Sequence, residues 1–144
     1  MASRRIAVWL LTGALAALPA PAAHAAAETL VRSLQNLALA PLDVALAPAV
    51  AGQAIYRNLQ DSDEGLAAKV AFTLPGWVWN TGVGVFAGAM RGLAGALELP
   101  PGLVLAPFET QLDPLFDAVE RSDALVDAEL GSLRLKFGID YTSG

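Results

Sequence analysis

The sequence offers few side chains that could carry out covalent or metal chemistry. It has no cysteine and a single histidine, His24, so thiol nucleophiles, thiolate zinc sites and disulfides are excluded. No G-x-S-x-G motif is present, and neither a P-loop nor a dinucleotide-binding glycine pattern occurs. We therefore expect no catalytic residue, no metal site and no cofactor, and a protein that is not an enzyme.

The first 25 residues have the organisation of a secretory signal peptide. Arg4 and Arg5 precede an apolar run over 6–18, which is too short for a bilayer core about 30 Å thick. The triplet Ala23-His24-Ala25 matches the small-x-small cleavage pattern. We expect residues 1–25 to be removed and residues 26–144 to form one domain. An uncleaved N-terminal anchor is the alternative.

The charge balance of the chain is acidic. It has 9 Lys and Arg against 14 Asp and Glu, a formal net charge of −5. Cleavage would remove Arg4, Arg5 and His24, leaving a mature chain with a net charge of −7 and no histidine. Nucleic-acid binding needs a basic surface, so that function class is excluded.

Apolar residues recur at helical spacing between prolines, which predicts a mainly α fold. We expect amphipathic helices over 27–40 and 48–60, a short helix ending at Pro75 and a glycine-rich helix over 77–99. Pro41, Pro48 and Pro100 should break or end these helices, because proline lacks the backbone N–H. The expected fold is a small bundle of amphipathic and glycine-rich helices broken by prolines, with a short C-terminal β-like tail.

An acidic helix is expected over about 114–130. Asp113-Pro114 is typical of an N-cap followed by proline at the first helical position, and Gly131 fits a C-terminal cap. Glu120, Asp123 and Asp127 would then share one helical face. A solvated surface is favoured there over a loose divalent-cation site, because the loop of a calcium site is missing.

The tail at 132–144 is expected to be extended. Apolar and polar residues alternate from Leu133 to Tyr141, and a period of two is typical of a β-strand. A lone strand is marginal in water. This strand must therefore pair with another edge or lie on the helices.

Three glycines form the sharpest pattern in the sequence. Gly84, Gly88 and Gly92 are spaced four residues apart, so they lie on one helix face and would let another backbone approach closely. Two partners fit this pattern. One is a neighbouring subunit or membrane helix, and the other is a second helix of the same chain.

The same segment has features of a membrane contact. Trp77 and Trp79 stand at its start and Arg91 near its end, as in helices at a bilayer interface. Residues 77–97 are numerous enough to cross a bilayer, but the charge of Arg91 would be costly in hydrocarbon. We therefore favour surface association or a protein core over a span. The candidate helix-packing or membrane-contact residues are Trp77, Trp79, Gly84, Gly88, Arg91 and Gly92.

Two sequence blocks carry a resemblance to a known family. The first is Arg32-x-Leu34-x-Asn36-Leu37 ahead of a proline, and the second is Gly84-xxx-Gly88-x-x-Arg91-xxx-Gly95-x-x-Glu98-x-Pro100. Together with Asp113-Pro114, they resemble the exosortase system-associated family of small exported bacterial proteins. That family usually has Trp-Glu before its first proline region, where this chain has Leu-Ala-Leu-Ala-Pro41. The resemblance implies a Gram-negative host with an exosortase-type envelope-sorting and exopolysaccharide system, and it implies no enzyme activity.

We thus expect an exported, non-catalytic protein of the periplasm or membrane-associated cell envelope. It would act through helix packing, self-association or binding to a membrane surface or an envelope protein. The alternative is a periplasmic carrier of an apolar or lipid ligand, which suits a chain with 55% hydrophobic residues.

Overall fold

A long helical hairpin carries a small β-hairpin on one side. The computed structural model describes residues 28–108, 112–131 and 133–143, and the predicted signal peptide at 1–25 lies outside them. The elements are α1 (Glu28–Asp61), α2 (Leu66–Leu105), a 3₁₀ turn (Ala106–Phe108), α3 (Ala118–Arg121), β1 (Asp123–Leu130) and β2 (Leu133–Asp140). α1 packs against α2, and β2 packs along α1. The prediction of a mainly α fold with a short C-terminal β element is confirmed.

The interface between α1 and α2 has the repeat of a coiled coil. Eight of the ten buried residues on α1 follow one another in alternating steps of four and three: Thr29, Ser33, Asn36, Ala40, Asp43, Ala47, Val50 and Ala54. The same alternation on α2 joins Gly84, Gly88, Arg91, Gly95, Glu98 and Gly102. An average spacing of 3.5 residues keeps one stripe of each helix facing its partner. Here small and polar residues fill the stripe, which we call the seam.

The glycines of the seam bring the two backbones very close together. A Cβ atom added to Gly95 would lie 2.7 Å from the carbonyl oxygen of Ser33, and one on Gly102 would lie 3.1 Å from the Cα of Leu30. Gly88 is similarly tight against the backbone nitrogen of Val44, at 3.2 Å. Larger side chains at these positions would force the helices apart.

The prolines do not end the helices, so the predicted boundaries at these residues are wrong. α1 runs through Pro41 and Pro48, and α2 through Pro75, Pro100 and Pro101. Pro41 and Pro48 are seven residues apart and both exposed, on the side of α1 that faces away from the seam. An interior proline costs about 3 kcal/mol. Continuous packing along the seam outweighs that local cost.

The prediction of an acidic helix over 114–130 is wrong. Residues 123–130 form β1, which pairs antiparallel with β2 from Asp123 opposite Asp140 to Leu130 opposite Leu133. Gly131 has a φ of 64° and starts the turn between the strands, as in tight hairpins, instead of capping a helix. The backbone N–H and C=O groups of β2 need a partner strand. Residues 123–130, which precede β2 in the chain, form that strand. The strand predicted within 133–141 is confirmed.

Alanine at two glycines of α2 should change stability in opposite directions. Gly95→Ala places a methyl group against the Ser33 carbonyl and should lower the free energy of unfolding by about 1–3 kcal/mol. Gly82→Ala meets nothing within 4 Å and should raise it by about 0.5–1 kcal/mol through helix propensity. Urea unfolding followed by circular dichroism measures both. Equal changes in the free energy of unfolding for the two substitutions would contradict the close approach of the helices at Gly95.

Candidate functional site

The structure places the glycines predicted as contact residues inside the helical hairpin. Cβ atoms added to Gly84 and Gly92 would lie 3.0 Å and 3.2 Å from the Cβ atoms of Ala47 and Ala40 on α1. Gly88 faces α1 in the same way. Of the two partners that fit the glycine pattern, the second helix of the same chain is therefore the one observed. Gly84 and Gly88 are buried in this contact, and Gly92 is half-buried.

Arg91, predicted as a helix-packing or membrane-contact residue, is buried between the two helices and the β-hairpin, with 2% of its surface exposed. Its Nη1 donates a hydrogen bond to Asp43 Oδ2 at 2.7 Å and to the carbonyl oxygen of Lys136 at 3.0 Å. Its Nε donates to Asn36 Oδ1 at 3.1 Å. The positive charge of Arg91, which would be costly in hydrocarbon, is thus neutralised by Asp43 of the same chain.

Asp43 is the acceptor that joins both helices to the β-hairpin. Its side chain is fully buried, and besides Arg91 it accepts bonds from the backbone N–H of Gly138 at 2.7 Å and the hydroxyl of Tyr141 at 2.8 Å. Gly138 has a φ of 66°, a left-handed conformation that glycine adopts readily. This conformation turns the Gly138 amide toward Asp43. We call Asn36, Asp43, Arg91, Gly138 and Tyr141 the clamp.

The clamp raises the pKa of Tyr141 well above the ordinary value. Burial, which disfavours the charged phenolate, is the largest cause, and the neighbouring carboxylate of Asp43 adds to it. A group with a raised pKa in the folded state stabilises the fold at low pH. That contribution is lost as the pH climbs from the ordinary pKa of about 10 through the folded value.

A second, part-buried ion pair lies nearer the end of α2. Glu98, which is 2% exposed, accepts a bond from Arg32 Nε at 2.9 Å and from the backbone N–H of Leu115 at 2.7 Å. Arg32 also donates to the carbonyl oxygen of Leu112 at 2.8 Å, and Thr29 Oγ1 accepts from the Leu112 N–H. These bonds use the backbone of the segment that follows the 3₁₀ turn. Asp113-Pro114 starts no helix, and helical structure begins only at Ala118.

The solvent side of α2 carries no charge, because the charged residues of its apolar part point into these two ion pairs. Between residues 70 and 108 the only charged side chains are Arg91 and Glu98, and both are buried. Large apolar side chains stand exposed on the side of α2 that faces away from α1. We call this surface the outer face and define it by Phe72, Trp79, Phe86, Met90, Leu93, Leu97 and Val104.

The two tryptophans have different surroundings. Trp77 is partly exposed, and its indole Nε1 donates to the carbonyl oxygen of Pro48 at 2.9 Å, which holds it at the interface between α1 and α2. Trp79 is 71% exposed and belongs to the outer face. Of the six predicted contact residues, only Trp79 thus lies fully on the exposed apolar surface.

The β-hairpin carries exposed charged side chains. The β-hairpin carries Asp127 and Arg134, whose side chains are joined by two hydrogen bonds of 2.9 Å and 2.6 Å, and the exposed Glu129. The hydrogen bond from Arg134 holds the pKa of Asp127 below its usual value. Glu120 lies in α3 while Asp123 and Asp127 lie in β1, so the three carboxylates predicted on one helical face do not share one.

Both long helices have the length and composition of a membrane span. The helical stretches at 28–61 and 66–108 each contain a window that is apolar enough to cross a membrane.

Two shallow grooves lie near the loop that connects α1 and α2. They have volumes of about 330 and 340 Å³, and Ile55, Leu59 and Thr73 line both. Their volumes are at the lower limit for a small-molecule site.

Comparison with known proteins gives no relative. No family model matches the chain, and no curated protein or solved structure is detectably similar to it.

Asp43, Asn36 and Tyr141 were not predicted from the sequence as members of a site. The signal that could have found the first two is their place in the repeat of buried positions on α1, where polar residues interrupt a run of small ones. Tyr141 carries no such signal, because only the folded β-hairpin brings it to Asp43, which is 98 residues away in sequence.

Titration of Tyr141 should report directly on the clamp. In a Tyr56→Phe variant Tyr141 is the only tyrosine, so absorbance of the phenolate follows it alone. We expect a midpoint well above about 10 in the folded protein and a return to about 10 in guanidinium chloride. A midpoint near 10 in the folded protein would show that Tyr141 does not lie buried against Asp43.

Proposed function

We propose that this chain is an exported, non-catalytic protein that binds a membrane surface of the cell envelope through the outer face of α2. The observation that carries the proposal is the long exposed apolar surface without a single exposed charge between residues 70 and 108. Large exposed apolar patches typically mark membrane or protein contacts. Full burial of a Leu or Phe side chain is worth about 1.5–3 kcal/mol, so a few residues suffice for binding.

The length of α2 favours an orientation parallel to the membrane. Its 40 residues extend about 60 Å, which is twice the hydrocarbon thickness of about 30 Å. A helix with an apolar face of this length fits the interface along its whole length. The outer face covers 72–104, or about 48 Å, so more than a third of it would lie outside the hydrocarbon if α2 stood upright.

The β-hairpin argues against a span by the helical hairpin. It packs along α1, where Gln35 Nε2 donates to the Arg134 carbonyl oxygen and Arg57 pairs with Asp123. It therefore flanks the middle of α1 with charged side chains. A two-stranded sheet also has open edges, whose unpaired backbone groups are not tolerated in hydrocarbon.

The association with an exosortase and exopolysaccharide system is the part of the proposal that comes from the sequence resemblance. The two blocks that carry this resemblance contact each other across the seam. Arg32 pairs with Glu98, Asn36 accepts from Arg91, and Gly95 lies against the Cβ of Asn36. This supports a shared role for the blocks in holding the helical hairpin together. A Gram-negative periplasmic or membrane-associated location follows the same resemblance and the predicted signal peptide.

A carrier of an apolar or lipid ligand is the second candidate. The two grooves near the connecting loop support it, since apolar side chains such as Ile55 and Trp77 line the first of them. Both grooves are open to solvent and small, so the outer face is the stronger feature. Lipid that co-purifies with a chain unable to bind vesicles would favour the carrier.

A matched pair of substitutions tests the proposal. Leu93 on the outer face is 51% exposed and Leu130 on β1 is 53% exposed, so aspartate should disturb the fold little at either site. In flotation with phosphatidylcholine vesicles, we expect Leu93→Asp to weaken binding about ten- to a hundredfold. Leu130→Asp should bind like the unmodified chain.

Two results would contradict the proposal. One is that the unmodified chain does not float with vesicles. The other is that Leu93→Asp and Leu130→Asp behave alike. Light scattering of the lipid-free protein serves as a companion measurement, because a dimer that Leu93→Asp dissociates would assign the outer face to self-association instead.

A further inference from the structure

We infer that the outer face of α2 selects membranes of electrically neutral, zwitterionic lipid and discriminates against anionic lipid. This inference rests on the proposed membrane binding and adds the chemistry of the partner. Most amphipathic membrane-binding helices combine an apolar face with basic residues that attract anionic lipids. The side chains of this chain are arranged in the opposite way.

Every arginine of the described residues is held in an ion pair. Arg91 with Asp43 is buried, and Arg32 with Glu98 is part-buried. The remaining three, on the surface, are Arg57 with Asp123, Arg121 with Asp117 and Arg134 with Asp127. None of these guanidinium groups projects from the outer face toward a lipid phosphate.

The two lysines of the described residues also have partners on the protein. Lys69 Nζ donates to the carbonyl oxygen of Leu59 at 2.7 Å, and Lys136 Nζ donates to that of Glu120 at 3.3 Å. Lys69 is the only lysine on α2. Its bond to Leu59 directs its ammonium group toward the end of α1.

Exposed carboxylates, by contrast, are placed where the outer face begins. The loop between α1 and α2 contains Asp63 and Glu64, preceded by Asp61, and all three are exposed. Leu66 and Phe72 follow on α2 and are exposed as well. When the outer face lies on a bilayer, this acidic loop comes to the level of the lipid headgroups. An anionic headgroup layer would repel it over a distance of about 8 Å at physiological salt.

Two vesicle compositions at two salt concentrations test the inference. We use pure phosphatidylcholine and a mixture in which about a third of the lipid is phosphatidylglycerol, at about 10 mM and about 150 mM NaCl. We expect several-fold tighter binding to phosphatidylcholine at low salt, and we expect the difference to shrink at the higher concentration. Equal binding, or tighter binding to the anionic vesicles, would overturn the inference.

Charge variants locate the source of the discrimination. Asp63→Asn with Glu64→Gln should reduce the preference for phosphatidylcholine, because it removes two charges beside the outer face. The matched control is Glu120→Gln with Glu129→Gln, which removes two exposed charges from α3 and β1 and should leave the preference unchanged. A larger effect of the control pair would overturn the role of the loop. Absence of binding to both kinds of vesicle would instead contradict the membrane function itself.

Discussion

The structure depends on the buried ion pair between Asp43 and Arg91. A buried pair is stabilising only when its remaining hydrogen-bonding groups also find partners. Here Asn36, Gly138, Tyr141 and the Lys136 carbonyl complete it. Because these partners come from α1, α2 and the C-terminal segment, one cluster joins the three parts of the chain. Loss of Asp43 would leave a buried, unpaired arginine, which typically costs about 3–5 kcal/mol.

Burial of charges at the contact with α1 also shapes the surface of α2. Arg91 and Glu98 are the only charges between residues 70 and 108, and burying both against α1 makes the outer face of α2 continuously uncharged. The glycines of the seam make this possible, since the helices must approach closely for the short side chain of Asp43 to meet Arg91. The charged β-hairpin then covers α1. An apolar side and a polar side on one small domain are what a protein bound flat to a membrane needs.

Several features could be predicted from the sequence because they depend on local patterns. Helical periodicity gave the mainly α fold, and the alternation of 133–141 gave β2. The wrong predictions concern residues whose structure is decided by distant contacts. Pro41 and Pro48 lie inside α1 because the seam continues past them, and residues 123–130 are a strand because β2 lies next to them. Arg91 looked like an interfacial residue because its acceptor, Asp43, lies 48 residues away. The glycine spacing revealed close packing but was compatible with a partner inside or outside the chain.

The depth of α2 in the bilayer is the most direct test of the account. The chain has no cysteine, so single cysteines at Phe72, Phe86 and Leu93 carry unique spin labels at sites that share one stripe of the helix. The first and last of them are 21 residues apart, or about 32 Å. The account predicts the same shallow depth for all three on vesicles, with a label at Leu130 in water. A depth that changes steadily from Phe72 to Leu93, or water exposure at all three sites, would contradict it.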